Sequence, residues 1–290
     1  MSHYLGTTLK ARLLQKNGLL VPGVANALAA RVIHSLGFEA MYLSGAGLTN
    51  TFYAMPDLGF INLNDLVSHT QAISQAVPLP LIVDADTGFG NALNTIHTVK
   101  VLEAAGAHAI QLEDQINPKK CGHFNNKGVI SKSEMVGKIK AAVDARRHQD
   151  FLIIARTDAR AVEGFESAIE RALAYQEAGA DVLFVEAPES IEEIKAIPQR
   201  LLSPQVINIV IGGKTPNMQT QEFSAMGFGM VLYANAALQG AIKGMQLALG
   251  ELKTTGRLDE SSGLVATFKE RQSLVDKDIF DQLEKKYSGE

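Results

Sequence analysis

The chain has 290 residues, with 27 Lys and Arg against 31 Asp and Glu, a formal charge of −4, 46% hydrophobic and 20% charged residues, one Cys and no Trp. This composition excludes a disordered or collagenous chain, and the absence of surplus cations argues against nucleic acid as the main partner. Cys121 alone cannot form an intrachain disulfide, no apolar run approaches the roughly 20 residues of a membrane helix, and Met1-Ser2-His3-Tyr4 does not open a signal peptide. A cytoplasmic protein with no membrane partner is expected. The length exceeds a usual single core unless the fold is one large α/β layer or barrel.

Along the chain, Leu9 and Leu13 make a short apolar face ahead of Gly18, and a first strand is predicted at 19–21. A phrase then recurs: a helical pattern, a Gly, two or three residues, an apolar run. It stands at Gly37, Gly106, Gly179 and Gly227. A Gly there suits the left-handed position past a helix, and the short run reads as a strand buried on both faces. The further strands are predicted at 41–44, 81–84, 109–113, 151–156, 182–186, 206–211 and 230–233. Between them, Phe165, Ile169, Ala172 and Leu173 fall on one helical face. Eight βα units in about 250 residues predict a closed (β/α)8 TIM barrel, with an open doubly wound sheet as the alternative. The tail 258–290 lies outside the eight units as a C-terminal helical extension of one 1–290 domain, with a charged amphipathic helix near 280–287.

In such a barrel the site lies at the C-terminal strand ends. Here those ends are polar: Ser44-Gly45-Ala46-Gly47, Asp84-Ala85-Asp86-Thr87-Gly88, Glu113-Asp114-Gln115, Arg156-Thr157-Asp158, Glu186, and Asn208 onward to Gly212-Gly213-Lys214. Buried carboxylates need a partner or a metal. Asp84 and Asp86, two apart, would point the same way in an extended segment and form an all-oxygen pocket with Glu113, suited to Mg²⁺ or Mn²⁺. A solvated turn is the other reading of that spacing. Of the seven His residues only His123 falls on the rim, so a zinc cluster is not expected. No predicted strand carries a Lys for Schiff-base chemistry, which leaves metal-assisted enolate chemistry.

The loop from Gln115 to about Ser131 is long and reads as a lid. Within it Cys121 stands beside Lys119 and Lys120, which favour its thiolate, making it an acid/base or nucleophile; an inert surface thiol is the alternative. Gly88-Phe89-Gly90 lacks the third Gly of a dinucleotide fingerprint, and Gly212-Gly213-Lys214 reads equally as an anion cradle or a plain turn.

Asp84-Ala85-Asp86-Thr87-Gly88-Phe89-Gly90, Glu113-Asp114-Gln115, Lys119-Lys120-Cys121-Gly122-His123, Ala155-Arg156-Thr157-Asp158-Ala159 and Phe184-Val185-Glu186-Ala187-Pro188 together resemble the isocitrate lyase/phosphoenolpyruvate mutase superfamily. The likeness runs from about residue 9 to residue 287. It implies a barrel whose C-terminal helix is swapped between subunits of a homotetramer. It implies that Asp86 binds Mg²⁺, with Asp84, Glu113 and Asp57 holding the ion's waters. Ser44, Gly45 and Gly47 would bind the substrate carboxylate, Tyr42 would stand beside the reacting carbon, Arg156 would clamp the substrate, and Glu186, Asn208 and His123 would line the pocket. Cys121 would exchange a proton with the carbanion, and Tyr42 acting through a water is the candidate base.

The Cys-bearing lid resembles the lyase branch, whereas phosphonate-forming mutases carry an Asn-rich loop. Where methylisocitrate lyases carry two Arg residues, this chain has Gln239 and Phe268. A third carboxylate left unpaired there costs about 3–5 kcal/mol. Oxaloacetate hydrolases resemble the chain but have Ser at Ala234, and Ile211 stands where relatives often have Glu. The pattern implies a C–C lyase acting on a small substituted 2-hydroxydicarboxylate, 2,3-dimethylmalate-like, giving a 2-oxo acid. The alternatives are an oxaloacetate hydrolase or decarboxylase, a methylisocitrate lyase, and more remotely a mutase or a non-catalytic 2-oxo-acid binder.

Overall fold

Each apolar run that follows a glycine is a strand in the computed structural model of the protein, which describes residues 4–122 and 127–288. The described residues run α1 (Leu5–Leu14), β1 (Leu19–Val24), α2 (Ala27–Ser35), β2 (Met41–Leu43), α3 (Gly45–Tyr53), α4 (Leu63–Ala76), β3 (Leu81–Asp84), α5 (Ala92–Ala104) and β4 (Ala109–Glu113). They continue through α6 (Lys132–Ala145), β5 (Leu152–Thr157), α7 (Ala159–Glu163), α8 (Phe165–Glu177), β6 (Val182–Val185), α9 (Ile191–Arg200), β7 (Gln205–Asn208), α10 (Thr220–Met226) and β8 (Met230–Tyr233). α11 (Ala236–Thr255) completes the eighth unit, and the tail forms a short 3₁₀ turn, α12 (Phe268–Leu274) and α13 (Lys277–Tyr287). Every strand pairs in parallel with its chain neighbours, and β8 returns to β1 with Met230 opposite Leu19. The sheet is a closed (β/α)8 barrel, and the open sheet is excluded.

Two apolar layers hold it. Inside the barrel, Val21, Ile82, Ile154, Phe184 and Leu232 pack together, and Leu9 and Leu13 of α1 join them as a plug, each 1% exposed. Between strands and helices a larger layer forms around residues such as Leu43, Val83, Ile110, Ile169 and Val231. On α8, Ile169 and Ala172 are fully buried, while Phe165 and Leu173 pack only partly against the core. Helix starts are fixed by side-chain caps: Asn62 and Asp65 form a reciprocal capping box on α4, and the Ser131 hydroxyl accepts from Glu134 N–H on α6. The four glycines of the repeated phrase have φ of 78° (Gly37), 101° (Gly106), 102° (Gly179) and 94° (Gly227), the left-handed values expected past a helix.

Boundaries differ where local chemistry misleads. β1 runs on to Val24 instead of ending at residue 21, through Pro22 and Gly23, which read as a turn. A Cβ on Gly23 would lie 1.7 Å from the Ala234 carbonyl oxygen, so the strand carries glycine because the backbone after β8 crosses directly over it. β7 ends at Asn208 and not at 211, because Gly213 N–H turns back onto the Val210 carbonyl. In the tail, α13 starts at Lys277, earlier than the helix expected near 280. α11, α12 and α13 contain no buried residue, although α11 lies against β1 and α12 against α2.

Candidate active site

The strand C-termini converge on a small cavity of about 40 Å³. Tyr42 and Ser44 reach it from the β2 end, Asp84 from β3, Glu113 from β4, Arg156 from β5, Glu186 after β6 and Asn208 from β7. Cys121 and Gly122 close it from the loop after β4. A larger outer space of about 590 Å³, reaching to Gly212-Gly213-Lys214, shares Ala46, Asp57, Cys121, Val210 and Asn235 with it. Cys121, half-buried, thus stands at the boundary between the two.

The acidic side is built on Asp84 and Asp86. Asp84 Oδ1 accepts from Gln111 Nε2 at 3.0 Å and from Asp86 N–H at 3.2 Å, and its Oδ2 accepts from Gly45 N–H at 3.3 Å. β3 ends at Asp84, and Asp86 has a left-handed φ of 47°. The two carboxylates still meet, but through a tight turn and not through strand alternation. A Cβ at Gly45 would lie 3.2 Å from Asp86 Oδ1 and 3.3 Å from Asp84 Oδ2, so glycine there admits both. Burial, opposed by Lys119 and reinforced by Asp84 and Asp57, pushes the Asp86 carboxyl up to about 6.

Lys119 is the cation that sequence reasoning missed. It is 5% exposed, with Nζ 2.6 Å from Asp57 Oδ1 and 2.8 Å from Asp86 Oδ1. Burial alone would lower its pKa, yet Asp86, Asp57, Glu113 and Asp84 together hold it well above the ordinary ammonium value. It is therefore a fixed ammonium and no Schiff-base nucleophile. The Lys-Lys pair beside Cys121 was visible in the sequence; that the first lysine turns inward depends on the loop's path. That path is set by Gln115, whose side chain donates to the Lys120 carbonyl and accepts from Lys120 N–H, and by Cys121 N–H donating to the Asp57 carbonyl at 3.3 Å.

On the opposite wall, Arg156 forks onto Asp158, Nε to Oδ2 at 2.9 Å and Nη2 to Oδ1 at 3.1 Å. Its Nη1 lies 3.4 Å from Glu113 Oε2, Nη2 lies 3.9 Å from Glu186 Oε1, and the guanidinium sits 5.3 Å from the Phe184 ring centre. Burial opposes this charge, but Asp158, Glu186 and Glu113 outweigh it and keep Arg156 cationic. Asp158, fully buried, also takes Lys127 Nζ at 2.5 Å, and Lys127 reaches back to the Gly122 carbonyl. Behind it Asp114 accepts from Asp158 N–H at 2.9 Å, Thr157 Oγ1 at 2.7 Å and Tyr175 OH at 2.7 Å. Asp158 and Asp114 lie in segments the sequence marked as polar, but their positioning role follows only from the register of β4 against β5. Burial pushes the Glu113 carboxyl well up, against the pull of Arg156, and its Oε1 has no hydrogen-bond partner among the described residues.

Tyr42, 4% exposed, donates from its OH to Gln111 Oε1 at 2.6 Å. Burial and the neighbouring Asp84 raise its pKa far above the phenol value. In this geometry the phenol is a hydrogen-bond donor toward Gln111. Gln111, wholly buried, couples Tyr42 to Asp84, and its place inside a strand gave no sign of this. Ser44 caps α3 and accepts from Gly47 N–H at 3.1 Å, so the Gly45 and Gly47 N–H groups both have internal partners. Asn208 Oδ1 is buried and lacks a partner among the described residues. Ala234 lines the inner cavity, Ile211 the outer space, while Gln239 and the 64% exposed Phe268 line neither. His123 lies outside the described residues.

An all-oxygen donor set around a buried cationic position suits a hard divalent ion, as does the orphaned Glu113 oxygen. No group of three His, Cys, Asp or Glu side chains is drawn into a ligating cluster among the described residues; the Lys119 ammonium lies between Asp57 and Asp86.

A parallel barrel with carboxylates and one buried arginine at its mouth defines a class: barrel enzymes that stabilise negative charge on a small acid. Residues 9–253 match the phosphoenolpyruvate phosphomutase family. The chain is 42% identical over 286 residues to 2,3-dimethylmalate lyase of Eubacterium barkeri, covering 98% of this chain and 99% of that one. It is 47% identical over 251 residues to 2-methylisocitrate lyase of Aeropyrum pernix, covering 87% and 80%. Its structure superposes on that of a 2,3-dimethylmalate lyase with TM-score 0.91 and 33% identity, covering 99% and 96% of the two chains. The structure of oxaloacetate acetylhydrolase with 3,3-difluorooxalacetate gives TM-score 0.91 and 32% identity over 99% and 98%. That of phosphonopyruvate hydrolase with oxalate and Mg²⁺ gives 0.88 and 30% over 98% and 99%. The chain belongs to the PEP mutase/isocitrate lyase superfamily, and the two relatives from Eubacterium barkeri and Aeropyrum pernix are named as lyases.

Proposed function

We propose that the protein is a Mg²⁺-dependent C–C lyase, with Mn²⁺ able to substitute, acting on a 2,3-dimethylmalate-like 2-hydroxydicarboxylate. The C2–C3 bond breaks to give a 2-oxo acid such as pyruvate and a second carboxylic acid. The observation that carries this is the meeting of Asp84, Asp57, Glu113 and Arg156 with Cys121 at one buried cavity, with Asp86 joined to it through Lys119, which lines the cavity. Asp86 would hold the ion, with Asp84, Glu113 and Asp57 holding its waters. When bound, the ion supplies positive charge to the substrate oxygens.

The chain's own residues do the rest. Arg156, braced by Asp158, holds a substrate carboxylate and offsets the charge that develops as the bond breaks. Ser44, with Gly45 and Gly47 at the start of α3, binds a carboxylate at the positive end of that helix, the two glycine N–H groups exchanging their present partners Asp84 and Ser44 for the substrate. Glu186, Asn208 and His123 orient the substrate, and Tyr42 donates a hydrogen bond beside the reacting carbon. A rim carboxylate takes the hydroxyl proton through a water as C2 becomes the 2-oxo carbon, the electron pair of the broken C2–C3 bond moves to C3, and the Cys121 thiol delivers a proton there, leaving a thiolate that the carboxylate's proton restores. Loop and barrel mouth together keep water from that carbanion. Leu232, Val210 and Ala234 give the inner wall an apolar surface that favours an alkyl group over a third carboxylate. The cations lining the cavity, Lys119, Lys120 and Arg156, include none from the tail.

We also propose a cytoplasmic homotetramer of single-domain chains in which the extension 258–290 exchanges between neighbours. This is supported by α11 and the two tail helices α12 and α13, none of which has a buried residue, and by the absence, among the described residues, of any helix long and apolar enough to cross a membrane. The deciding experiment offers 2,3-dimethylmalate, 2-methylisocitrate and oxaloacetate with Mg²⁺ and reads the products. Metal-dependent pyruvate from dimethylmalate is expected. Oxalate and acetate from oxaloacetate alone would make it a hydrolase, and no metal-dependent turnover of any C4–C7 dicarboxylate would overturn the enzyme reading.

A further inference from the structure

We propose that Lys119 is an internal competitor of the divalent ion for the carboxylates of the barrel mouth. The inference rests on the metal reading above and concerns a residue that reading does not use.

Lys119 comes from the loop after β4, yet its ammonium ends among carboxylates that belong to other segments. Its Nζ lies 2.6 Å from Asp57 Oδ1 and 2.8 Å from Asp86 Oδ1. A Cβ at Gly45 would lie 3.5 Å from the same nitrogen and 3.2 Å from Asp86 Oδ1, so the ammonium occupies the spot toward which the acids converge. The ion pairs are dry: the Lys119 and Asp57 side chains are 5% and 9% exposed. Lys127, the other inward lysine of this loop, pairs with Asp158 on the far wall and does not touch these acids. Lys119 is thus the loop's one described cation in contact with Asp57 and Asp86.

Two consequences follow from charge alone. An ion drawing on Asp86 and on water held by Asp57 places a second cation on the same oxygens, and in a low-dielectric site the two repel. Filling the site therefore weakens the hold of Lys119. Cys121, two residues on, is docked by its own backbone N–H to the Asp57 carbonyl at 3.3 Å, a bond separate from the Lys119 ion pairs, so the loop keeps its seat when the ammonium shifts. Conversely, an uncharged residue at 119 leaves the carboxylates with less internal compensation and a stronger call for an external cation.

The test is calorimetric titration of Mn²⁺ into EDTA-stripped full-length protein, for wild type, Lys119→Met, Lys119→Gln and Lys140→Met. Thermal melts establish that each variant is folded, and the two 119 variants guard against one failing to fold. Both should bind Mn²⁺ about tenfold or more tightly than wild type, while Lys140→Met, which removes an exposed charge on α6 away from the cavity, stays near wild type. Wild type binding Mn²⁺ while both 119 variants bind it equally or more weakly overturns the competition and leaves the metal reading intact. Wild type taking up no Mn²⁺ removes the metal reading itself, and the competition with it.

Discussion

Arg156 shows how one side chain is kept useful in a buried site. A lone guanidinium there would seek the nearest carboxylate; the bidentate grip of Asp158 fixes its plane and leaves Nη1 toward Glu113 and the cavity. Cys121 is the residue with the sharpest consequence. Its place between inner cavity and outer space lets it reach bound substrate only when the loop is docked. Cys121→Ser should lower pyruvate formation by about three orders of magnitude, the middle of a general acid's usual contribution. Oxalate and Mn²⁺ binding, read by calorimetry, should persist; full activity in the variant would refute the proton-donor role. At this scale the sequence was informative about acids and poor on their partners. Asp84, Asp86, Glu113 and Arg156 stand at strand ends, where a parallel barrel must place them. Lys119, Gln111 and Asp158 act through a loop's path and the register between strands, which spacing along one chain does not encode.

At the scale of elements, the repeated glycine phrase located each strand because it reports a local necessity, a left-handed residue past a helix. Element ends were less legible. Pro22 and Gly23 look like a turn, and only the crossing of Ala234 explains why a strand tolerates them. The start of β4 carries a second testable feature. His108 stitches strands together: its Nδ1 accepts from Leu81 N–H at 3.2 Å, its N–H donates to the Leu81 carbonyl, and its carbonyl accepts from Leu152 N–H. Burial lowers its pKa from 6.5 to about 4. The unfolded chain therefore binds more protons than the native one between these values. The neutral imidazole's contribution is complete above pH 6.5 and lost as pH falls toward 4, by roughly 3–4 kcal/mol in all. His108→Asn keeps an acceptor but cannot titrate. Urea midpoints at pH 7 and pH 5 should fall further in wild type than in the variant; equal drops would contradict this account of His108.

For the whole molecule, α11 and the tail are the parts whose sequence pattern and surroundings disagree. α11 presents Ile242, Met245, Leu249 and Leu252, and α13 presents Ile279, Phe280 and Leu283, all exposed in the isolated chain. An apolar surface of that extent calls for a cover, and a second copy of the same chain supplies one by symmetry. Light scattering at micromolar concentration should return the mass of four chains, and Phe280→Glu with Ile279→Glu should shift it to smaller species. A wild-type monomer would contradict the assembly. The barrel itself was legible from alternation and strand count, whereas a helix facing another subunit carries the same apolar spacing as one facing its own core.

The central claim is that a divalent ion held at the barrel mouth, with Arg156, takes up the charge released when a small diacid splits. Its most direct test is a crystal grown with Mn²⁺ and oxalate, read by anomalous scattering at the manganese edge. The account predicts a single peak at coordination distance from Asp86, with Asp84, Glu113 and Asp57 ringed around its waters and Lys119 drawn off its present seat. A map without that peak, with Asp86 still paired to Lys119 at saturating Mn²⁺, would contradict it.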